Sequence, residues 1–372
     1  MIKTLAALLL LAAGLPLCAQ GAEAVQSWTS SDGRVIQAKF VKLNRDVVVV
    51  EKNGKPFDIP FSKLSASSVV QAKALARGVP NADAFQRLLR SGGSISVWGM
   101  NEHGGCVVPE NPGHVVAIAA GVAHSLALRN DGTVFAWGYN EMGQCSVPND
   151  LREVVEISAG ATHCLALKKD GCVVPWGSVK RVPKDLSDVV AISAGGWHNL
   201  ALKRDGTVVA WTEGENTYGQ CSVPEDLVDV VAISAGHAHS LALKRDGAVI
   251  AWGNNNRGQC DVPPDLRDVV AISAGNGHCL VLKKDGSVAA WGYRREGSSK
   301  NYAQEMIPKD LADVVAISAG FSHSLAIKKD GTVVSWGDEE HFSVPEGLKG
   351  VVAISAGAEH SLVVFIDDSA KD

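Results

Sequence analysis

The feature that most constrains this chain is an internal repeat that returns seven times. The dipeptide Ala-Gly, two variable residues and a histidine recur at intervals of 35 to 45 residues. These histidines number the units from 1 to 7: His124, His163, His198, His239, His278, His323 and His360. Tryptophans recur at the same step: Trp98, Trp137, Trp176, Trp211, Trp252, Trp291 and Trp336. Such a period is typical of solenoids and propellers, in which each repeat supplies one supersecondary unit.

Each unit contains four short segments that favour β-strands. The segment "VVAISAG" is apolar on both faces, which is typical of a buried strand. The segments "HSLALK" and "TVVAW" flank an Asp-Gly pair, which predicts a hairpin. The segment "QCSVP" ends at a proline and is predicted to be an outer edge strand. Four strands per unit are typical of one propeller blade, so we predict an all-β fold.

The two ends of the repeat region complement each other. The segment "SISVWG" at residues 94–99 has no His-Ser-Leu strand before it, and the last unit ends at "HSLVVF" without a Trp-Gly strand. The first segment can therefore complete the last blade and close a ring that has no exposed edges. We predict a seven-bladed β-propeller over residues 92–366, followed by a tail at 367–372.

The motifs "AGxxHSLAL" and "DGTVxAWG" resemble the regulator of chromosome condensation repeat family over residues 94–366. The resemblance implies a seven-bladed β-propeller. The "GQCxVP…VVAISAG" linkage is most similar to exported bacterial members, including a propeller that inhibits β-lactamases. The activities of the family include nucleotide exchange on a small GTPase and inhibition of a secreted enzyme. The resemblance does not select between these activities.

The repeated histidines indicate a structural role. A catalytic or metal site needs one asymmetric constellation, whereas these imidazoles occur in every unit and lie on separate blades. We expect each imidazole to satisfy backbone groups at its tight turn, and the tryptophans to pack the blades. Ser240 follows His239, but Cys164, Asn199 and Cys279 replace it in other units, so it is not predicted to be a nucleophile. We predict no catalytic residue, no metal site, no cofactor and free thiols.

The blades differ mainly on one face, where strand direction places the Ala-Gly turns and the loops after Trp-Gly. Aromatic and arginine side chains dominate protein-binding hot spots. The candidate partner-binding residues are Trp197, His237, Phe321, Glu359, Tyr139, Tyr218, Tyr293 and Arg294. We therefore predict a non-catalytic protein–protein interaction scaffold. The alternatives are a secreted enzyme inhibitor, or a carbohydrate-binding or enzymatic propeller that uses the axial face, with Glu359 and His237 as its only candidate pair.

A small domain is predicted in front of the repeats, at residues 25–64. Its alternating segments are separated by Asp-Gly and Asn-Gly, which predicts a meander of about four strands. Trp28, "IQAKFV" and "IPFSKLS" resemble the Sla-type homology domain, which implies a small SH3-like β domain. Residues 65–91 contain two segments with helix-capping signals and are predicted to form a helical linker.

The N-terminus and the net charge limit the range of partners. Residues 1–21 combine Lys3, an apolar run and small residues near the end, which predicts a cleaved signal peptide. A lipid anchor at Cys18 is disfavoured because Pro16 and Leu17 precede it. We expect export to the periplasm or the extracellular space, and no transmembrane segment. The net charge of −5 gives no basic excess for nucleic acid. The expected partner is another exported or cell-envelope protein, and the chain is expected to be a monomer.

Overall fold

The computed structural model describes residues 25–32, 34–44, 47–60, 63–64, 92–110, 112–293, 307–337 and 342–366. The predicted signal peptide, helical linker and tail lie outside these residues. The described residues contain twenty-five strands, β1 to β25. Within these ranges, no helix is long and apolar enough to cross a membrane.

The first four strands form an antiparallel meander that agrees with the predicted strand count. They are β1 (Val25–Thr29), β2 (Val35–Asn44), β3 (Val47–Lys52) and β4 (Lys55–Pro60). Asn53 and Gly54 both have positive φ, at 55° and 73°, as the tight turn between β3 and β4 requires. Trp28 is fully buried and donates its indole N–H to the carbonyl of Ala38 at 3.0 Å. The likeness of this sheet to an SH3 domain stays a prediction.

The repeat units form seven three-stranded antiparallel sheets among the described residues. The inner strands are β6 (Val115–Ala120), β9 (Val154–Ala159), β12 (Val189–Ala194), β15 (Val230–Ala235), β18 (Val269–Ala274), β21 (Val314–Ala319) and β24 (Val351–Ala356). The middle strands are β7 (His124–Arg129), β10 (His163–Lys168), β13 (Asn199–Lys203), β16 (His239–Lys244), β19 (His278–Lys283), β22 (His323–Lys328) and β25 (His360–Phe365). The outer strands are β8 (Val134–Gly138), β11 (Val173–Gly177), β14 (Val208–Trp211), β17 (Val249–Gly253), β20 (Val288–Gly292), β23 (Val333–Gly337) and β5 (Ser94–Gly99). The all-β repeat fold is therefore confirmed.

The sheets are arranged around a common axis, with the inner strands packed against one another. Each inner strand contacts the inner strand of the next unit, and β24 of the last unit contacts β6 of the first. As expected from the complementary ends, β5 pairs with β25, with Trp98 opposite Ser361. The chain thus begins and ends its repeat region in one sheet, which hydrogen bonds hold together.

Serines of the inner strands connect neighbouring sheets. In six junctions a serine hydroxyl accepts the backbone N–H of an alanine in the next unit at 2.8 to 3.1 Å. The accepting serines are Ser158, Ser193, Ser234, Ser273, Ser318 and Ser355. Unit 1 has Ala119 at this position and cannot form the bond. Because these hydroxyls are buried, each bond satisfies two groups that water does not reach.

The predicted fourth strand is wrong for the units whose connecting segments the structure describes. Residues 144–148, a representative "QCSVP" segment, form a turn and irregular structure. The side chain of Asn140 fixes this turn, because its Oδ1 accepts the N–H of Cys145 at 2.7 Å. The carbonyl of Gln144 accepts a hydrogen bond from Trp176 Nε1 of the next unit at 2.9 Å. The segment therefore connects two sheets, and it does not add a strand to its own.

Candidate functional site

The seven repeated histidines lie buried between sheets, each bonded to the next unit. Every Nε2 lies 2.7 to 3.3 Å from the side chain that follows the next histidine. The partners, in order of the units, are Cys164, Asn199, Ser240, Cys279, Ser324, Ser361 and Ser125. The last of these bonds, from His360 to Ser125, joins unit 7 to unit 1 at 2.7 Å. Sequence analysis predicted bonds to the backbone of the same turn, whereas these bonds join one unit to the next.

The hydrogen bonds define the protonation state of these imidazoles. Ser240 Oγ donates to the carbonyl of Gln220 at 3.0 Å, so it accepts from His198 Nε2 at 2.8 Å. Asn199 Oδ1 likewise accepts from His163 Nε2 at 2.7 Å. The proton therefore resides on Nε2, and the ring of His198 is neutral because its buried Nδ1 has no partner for a second proton. Burial lowers the pKa of His198 to about 3 and that of His163 to about 4, which favours the same neutral state.

The histidine–serine pairs do not have the setting of a catalytic dyad. Ser240, His198 and their counterparts are fully buried, so no substrate reaches them. The ring also fills the space above the glycine of its own Ala-Gly turn. A Cβ on Gly236 would lie 2.4 Å from the ring of His239, which explains the glycine at this position. The pairs serve packing between sheets.

The tryptophans of the outer strands extend these junctions. Their indole N–H groups donate to loop carbonyls of the preceding unit at 2.9 to 3.1 Å, as described for Trp98, Trp137, Trp176, Trp252 and Trp291. Trp211 is the exception, because its buried Nε1 has no partner. The loop of unit 2 is shortened and lacks the Gly-Gln-Cys sequence that supplies the carbonyl elsewhere.

The Ala-Gly turns surround the axis on one face and are linked by backbone hydrogen bonds. Gly196 donates its N–H to the carbonyl of Gly236 at 3.0 Å, His237 donates to Gly275 at 3.1 Å, and Phe321 donates to Gly357 at 3.1 Å. Similar bonds connect Asn276 with Gly320 and Ala358 with Gly121. The side chains that follow each Ala-Gly pair therefore project from turns that hydrogen bonds link around the axis.

Trp197, His237 and Phe321 form an aromatic cluster on this face. Trp197 Nε1 donates to His237 Nε2 at 3.0 Å, and the two rings meet edge to face with centroids 5.7 Å apart. Phe321 meets the same imidazole edge to face at 6.4 Å. Trp197 is 59% exposed and Phe321 38%, whereas His237 is more deeply buried. The imidazole thus forms the floor of a shallow site between two exposed rings.

A glycine makes room for the aromatic cluster. Gly196 stands where the other units carry a residue with a side chain, such as Val122 or Asn276. A Cβ on Gly196 would lie 2.3 Å from His237 Nδ1 and 2.6 Å from the His237 carbonyl oxygen. Burial lowers the pKa of His237 to about 4, and the charge of Arg257 contributes to the decrease. The imidazole is therefore neutral at physiological pH, as an acceptor for Trp197 must be.

Arg257 and Tyr293 lie beside the cluster. The guanidinium carbon of Arg257 lies 4.6 Å from the centroid of the Tyr293 ring, which is a cation–π geometry. To reach it, the side chain crosses Gly277, where a Cβ would lie 2.6 Å from Arg257 Cδ. The corresponding position carries a side chain in every other unit.

Acidic and polar groups occupy another part of the same face. His103 and Tyr139 have ring centroids 5.1 Å apart, and the Tyr139 hydroxyl donates to Glu141. Burial raises the pKa of Glu359, and the charge of Glu102 adds to the increase, whereas His103 opposes it. In the described part of the chain no hydrogen bond or ion pair joins Glu359 and His237: the N–H of Glu359 donates to the carbonyl of Val122, and the His237 ring accepts from Trp197, so the candidate pair is not brought together.

The remaining candidates have separate positions. Tyr218 is exposed, as is Met142 at the same repeat position, and Arg294 lies outside the described residues. Four residues of this face were not among the predicted partner-binding residues: Gly196, Gly277, Arg257 and His103. His103 and Arg257 occupy the repeat position of Met142 and Tyr218, immediately before the Gly of the Gly-Gln-Cys loop or its variant, and that register could have identified them.

Among the residues that the structure describes, no group of three or more His, Cys, Asp and Glu side chains could hold a metal ion. No disulfide joins the described cysteines, and Cys164 and Cys279 instead contact histidines of the preceding units at 3.2 and 3.3 Å.

The repeats and the fold match known proteins. The sequence profile described as "Regulator of chromosome condensation (RCC1) repeat" matches residues 115–144, 189–220, 230–259, 269–297 and 314–342. No curated protein sequence matches the chain. The chain therefore contains RCC1-type repeats.

Solved structures with a similar fold include two of the yeast protein Prp20 and one of a human protein. Yeast RCC1 (Prp20), solved with Kap60 bound, is 20% identical over 75% of this chain and 90% of its own, with a TM-score of 0.58. Prp20p from Saccharomyces cerevisiae, described with its binding to Gsp1p and histones, is 19% identical over 77% of this chain and 95% of its own, with a TM-score of 0.59. Human WBSCR16 is 18% identical over 73% of this chain and 100% of its own, with a TM-score of 0.58. The fold is that of an RCC1-type repeat β-propeller.

Proposed function

We propose that the chain is a non-catalytic, exported protein-interaction scaffold whose binding surface is the face that carries Trp197, His237 and Phe321. The observation that carries this proposal is the aromatic cluster, which exposes two large apolar rings from turns that hydrogen bonds link around the axis. Exposed aromatic side chains in a fixed geometry are typical of binding hot spots, because little side-chain entropy is lost on association. Among the described residues, the opposite face, with its Lys-Asp turns, exposes no aromatic side chain comparable with Trp197.

The similar structures favour a protein as the ligand. The yeast propeller is described as binding Kap60, Gsp1p and histones. These relatives are too distant to transfer a partner, so the proposal for this chain rests on its own face. We propose further that the seven sheets are the seven blades of one closed ring, that the N-terminal meander is SH3-like, and that residues 1–21 direct export. The expected partner is accordingly another exported or cell-envelope protein. A secreted enzyme that the propeller inhibits is one such partner.

Affinity capture from a cell-envelope extract tests the proposal. The mature chain is compared with the double variant Trp197→Ala, Phe321→Ala and with the matched control Lys284→Ala, Lys329→Ala on the opposite face. We expect a protein captured by the wild type and the control and lost from the aromatic variant. Equal capture by all three chains would contradict the proposed face. Binding to glycan arrays that requires Trp197, without any captured protein, would favour the carbohydrate alternative.

A further inference from the structure

The side chain of Arg257 is positioned but has no counter-ion. Its guanidinium is held over Tyr293 and, in the described ranges, makes no ion pair and no side-chain hydrogen bond. A guanidinium has five N–H donors in a planar fork that matches a carboxylate. Stacking on an aromatic face leaves the edge of this fork available. Arg257 is half-buried, so part of its side chain is open to a ligand.

Two departures from the repeat build this arrangement. Gly277 stands where the other units have a side chain, and its missing Cβ lets Arg257 cross to Tyr293. Gly196 does the same at a different position for His237, which supports Trp197. Two neighbouring parts of the face thus depend on glycines at positions that otherwise carry side chains. Drift of unconstrained loops does not require such pairs of compensating residues.

The charges on the face are divided. Arg257 lies beside the aromatic cluster, because its side chain crosses Gly277 and the N–H of His237 donates to the carbonyl of the nearby Gly275 at 3.1 Å. The carboxylates of Glu359 and Glu102 belong to a different part of the face, where the N–H of Met100 donates to the carbonyl of Glu359 at 2.6 Å. A ligand that places an apolar side chain on the aromatic cluster would therefore lie next to the positive charge of Arg257. The negative charges of Glu102 and Glu359 would lie elsewhere on the face.

We infer that this site recognises a protein segment in which an apolar side chain is flanked by a carboxylate. The apolar side chain would contact Trp197 and Phe321 above His237, and the carboxylate would pair with Arg257 in a charge-assisted hydrogen bond. Two features indicate that the bound segment carries a negative charge. The guanidinium of Arg257 has no counter-ion among the described residues, and the acidic groups of the face lie in a different part of it. The inference rests on the proposed protein-binding role of this face and specifies the chemistry of its ligand.

Short peptides test the inference directly. The mature chain is titrated into two labelled pentapeptides, Gly-Asp-Phe-Asp-Gly and Gly-Lys-Phe-Lys-Gly, and binding is followed by fluorescence anisotropy at low salt. We expect the acidic peptide to bind at least about tenfold more tightly, as one charge-assisted hydrogen bond provides. Arg257→Gln should remove this preference, and Phe321→Ala should weaken the binding of both peptides. The matched control, Arg204→Gln on the opposite face, should change neither.

A second variant distinguishes the effect of the position of the Arg257 guanidinium from the effect of its charge. Gly277→Ala keeps the guanidinium but displaces it, because the added Cβ collides with the flexible Arg257 side chain and not with the backbone. We expect this variant to melt like the wild type and to lose the preference for the acidic peptide. Equal binding of the two peptides, absence of binding to either, or a preference that survives Arg257→Gln would overturn the inference. If one of these results is obtained but the variant Trp197→Ala, Phe321→Ala still fails to capture a protein that the wild type captures, the proposed binding face is retained. Only the proposed chemistry of its ligand is then wrong.

Discussion

Acidification should unfold this protein through its buried histidines. Burial lowers the pKa of His124, His198 and His323 to about 3 and that of His163 and His360 to about 4, against an ordinary value of 6.5. Because the pKa in the folded state lies below that in the unfolded state, the unfolded chain binds more protons. Stability is therefore complete above about pH 6.5 and decreases as the pH falls toward about 4.

The magnitude follows from proton linkage. At about pH 5.5, one unit below the ordinary pKa, each buried imidazole contributes about 1.4 kcal/mol less to the free energy of unfolding than at high pH. Five such rings and His237, whose pKa burial also lowers to about 4, together remove about 8.5 kcal/mol, which is comparable with the whole stability of a typical domain. Below about pH 5 the slope approaches about 8 kcal/mol per pH unit, the value for six protons taken up on unfolding. The carboxylates with lowered pKa, such as Asp131, titrate below this window and do not contribute.

Urea unfolding followed by tryptophan fluorescence measures this loss. The midpoint should fall steeply between about pH 7 and about pH 5.5, with little change in the dependence on urea concentration. The variant His198→Gln removes one titrating ring and should reduce the slope by about 1.4 kcal/mol per pH unit. A midpoint that stays constant over this range would refute the assignment of neutral, buried imidazoles.

Three further predictions concern the junctions and the aromatic cluster. Ala119→Ser should raise the free energy of unfolding by about 1 kcal/mol in urea titrations, because it supplies the inner-strand hydroxyl that the other units have; a loss of stability would contradict the role of these serines. Ser125→Ala should cost about 1–3 kcal/mol, as much as Ser240→Ala, because each leaves a buried imidazole N–H unsatisfied; a smaller cost at Ser125 would indicate that unit 7 does not close onto unit 1. Gly196→Ala should lower the melting temperature and abolish partner capture, since its Cβ would meet the His237 backbone, whereas Gly214→Ala, with no atom closer than 3.6 Å, should do neither.

The repeat predicted the fold because each unit has the same hydrophobic pattern and the same turn residues. The buried inner strands, the Asp-Gly hairpins and the complementary end strand β5 follow from hydrophobic pattern and turn chemistry. The "QCSVP" segment was assigned wrongly because its proline and alternating residues resemble an edge strand. Its turn depends on a side-chain bond from Asn140 and on the use of the Gln144 carbonyl by the next unit.

The site was less accessible to sequence reasoning. Exposure of Trp197 and Phe321 followed from the strand directions. The contact between His237 of unit 4 and Phe321 of unit 6 could not be predicted from strand direction. It joins two units that are not neighbours in sequence, and it depends on how closely the Ala-Gly turns approach one another around the axis. The role of Gly196 and Gly277 could not be predicted either, because each glycine makes room for a side chain that is distant in sequence. Such compensations can be identified only when neighbouring units are placed side by side.

Site-specific photo-crosslinking tests the central claim most directly, since it reports which face meets a partner in the native envelope. The photoreactive residue p-benzoylphenylalanine replaces Phe321 in one chain and Lys329, on the opposite face, in another. The proposed function predicts a discrete crosslinked protein from position 321 and none from position 329. The crosslink from position 321 should disappear when Trp197→Ala is added. Crosslinking of the same protein from position 329 alone, or equally from both positions, would contradict the assignment of the binding face.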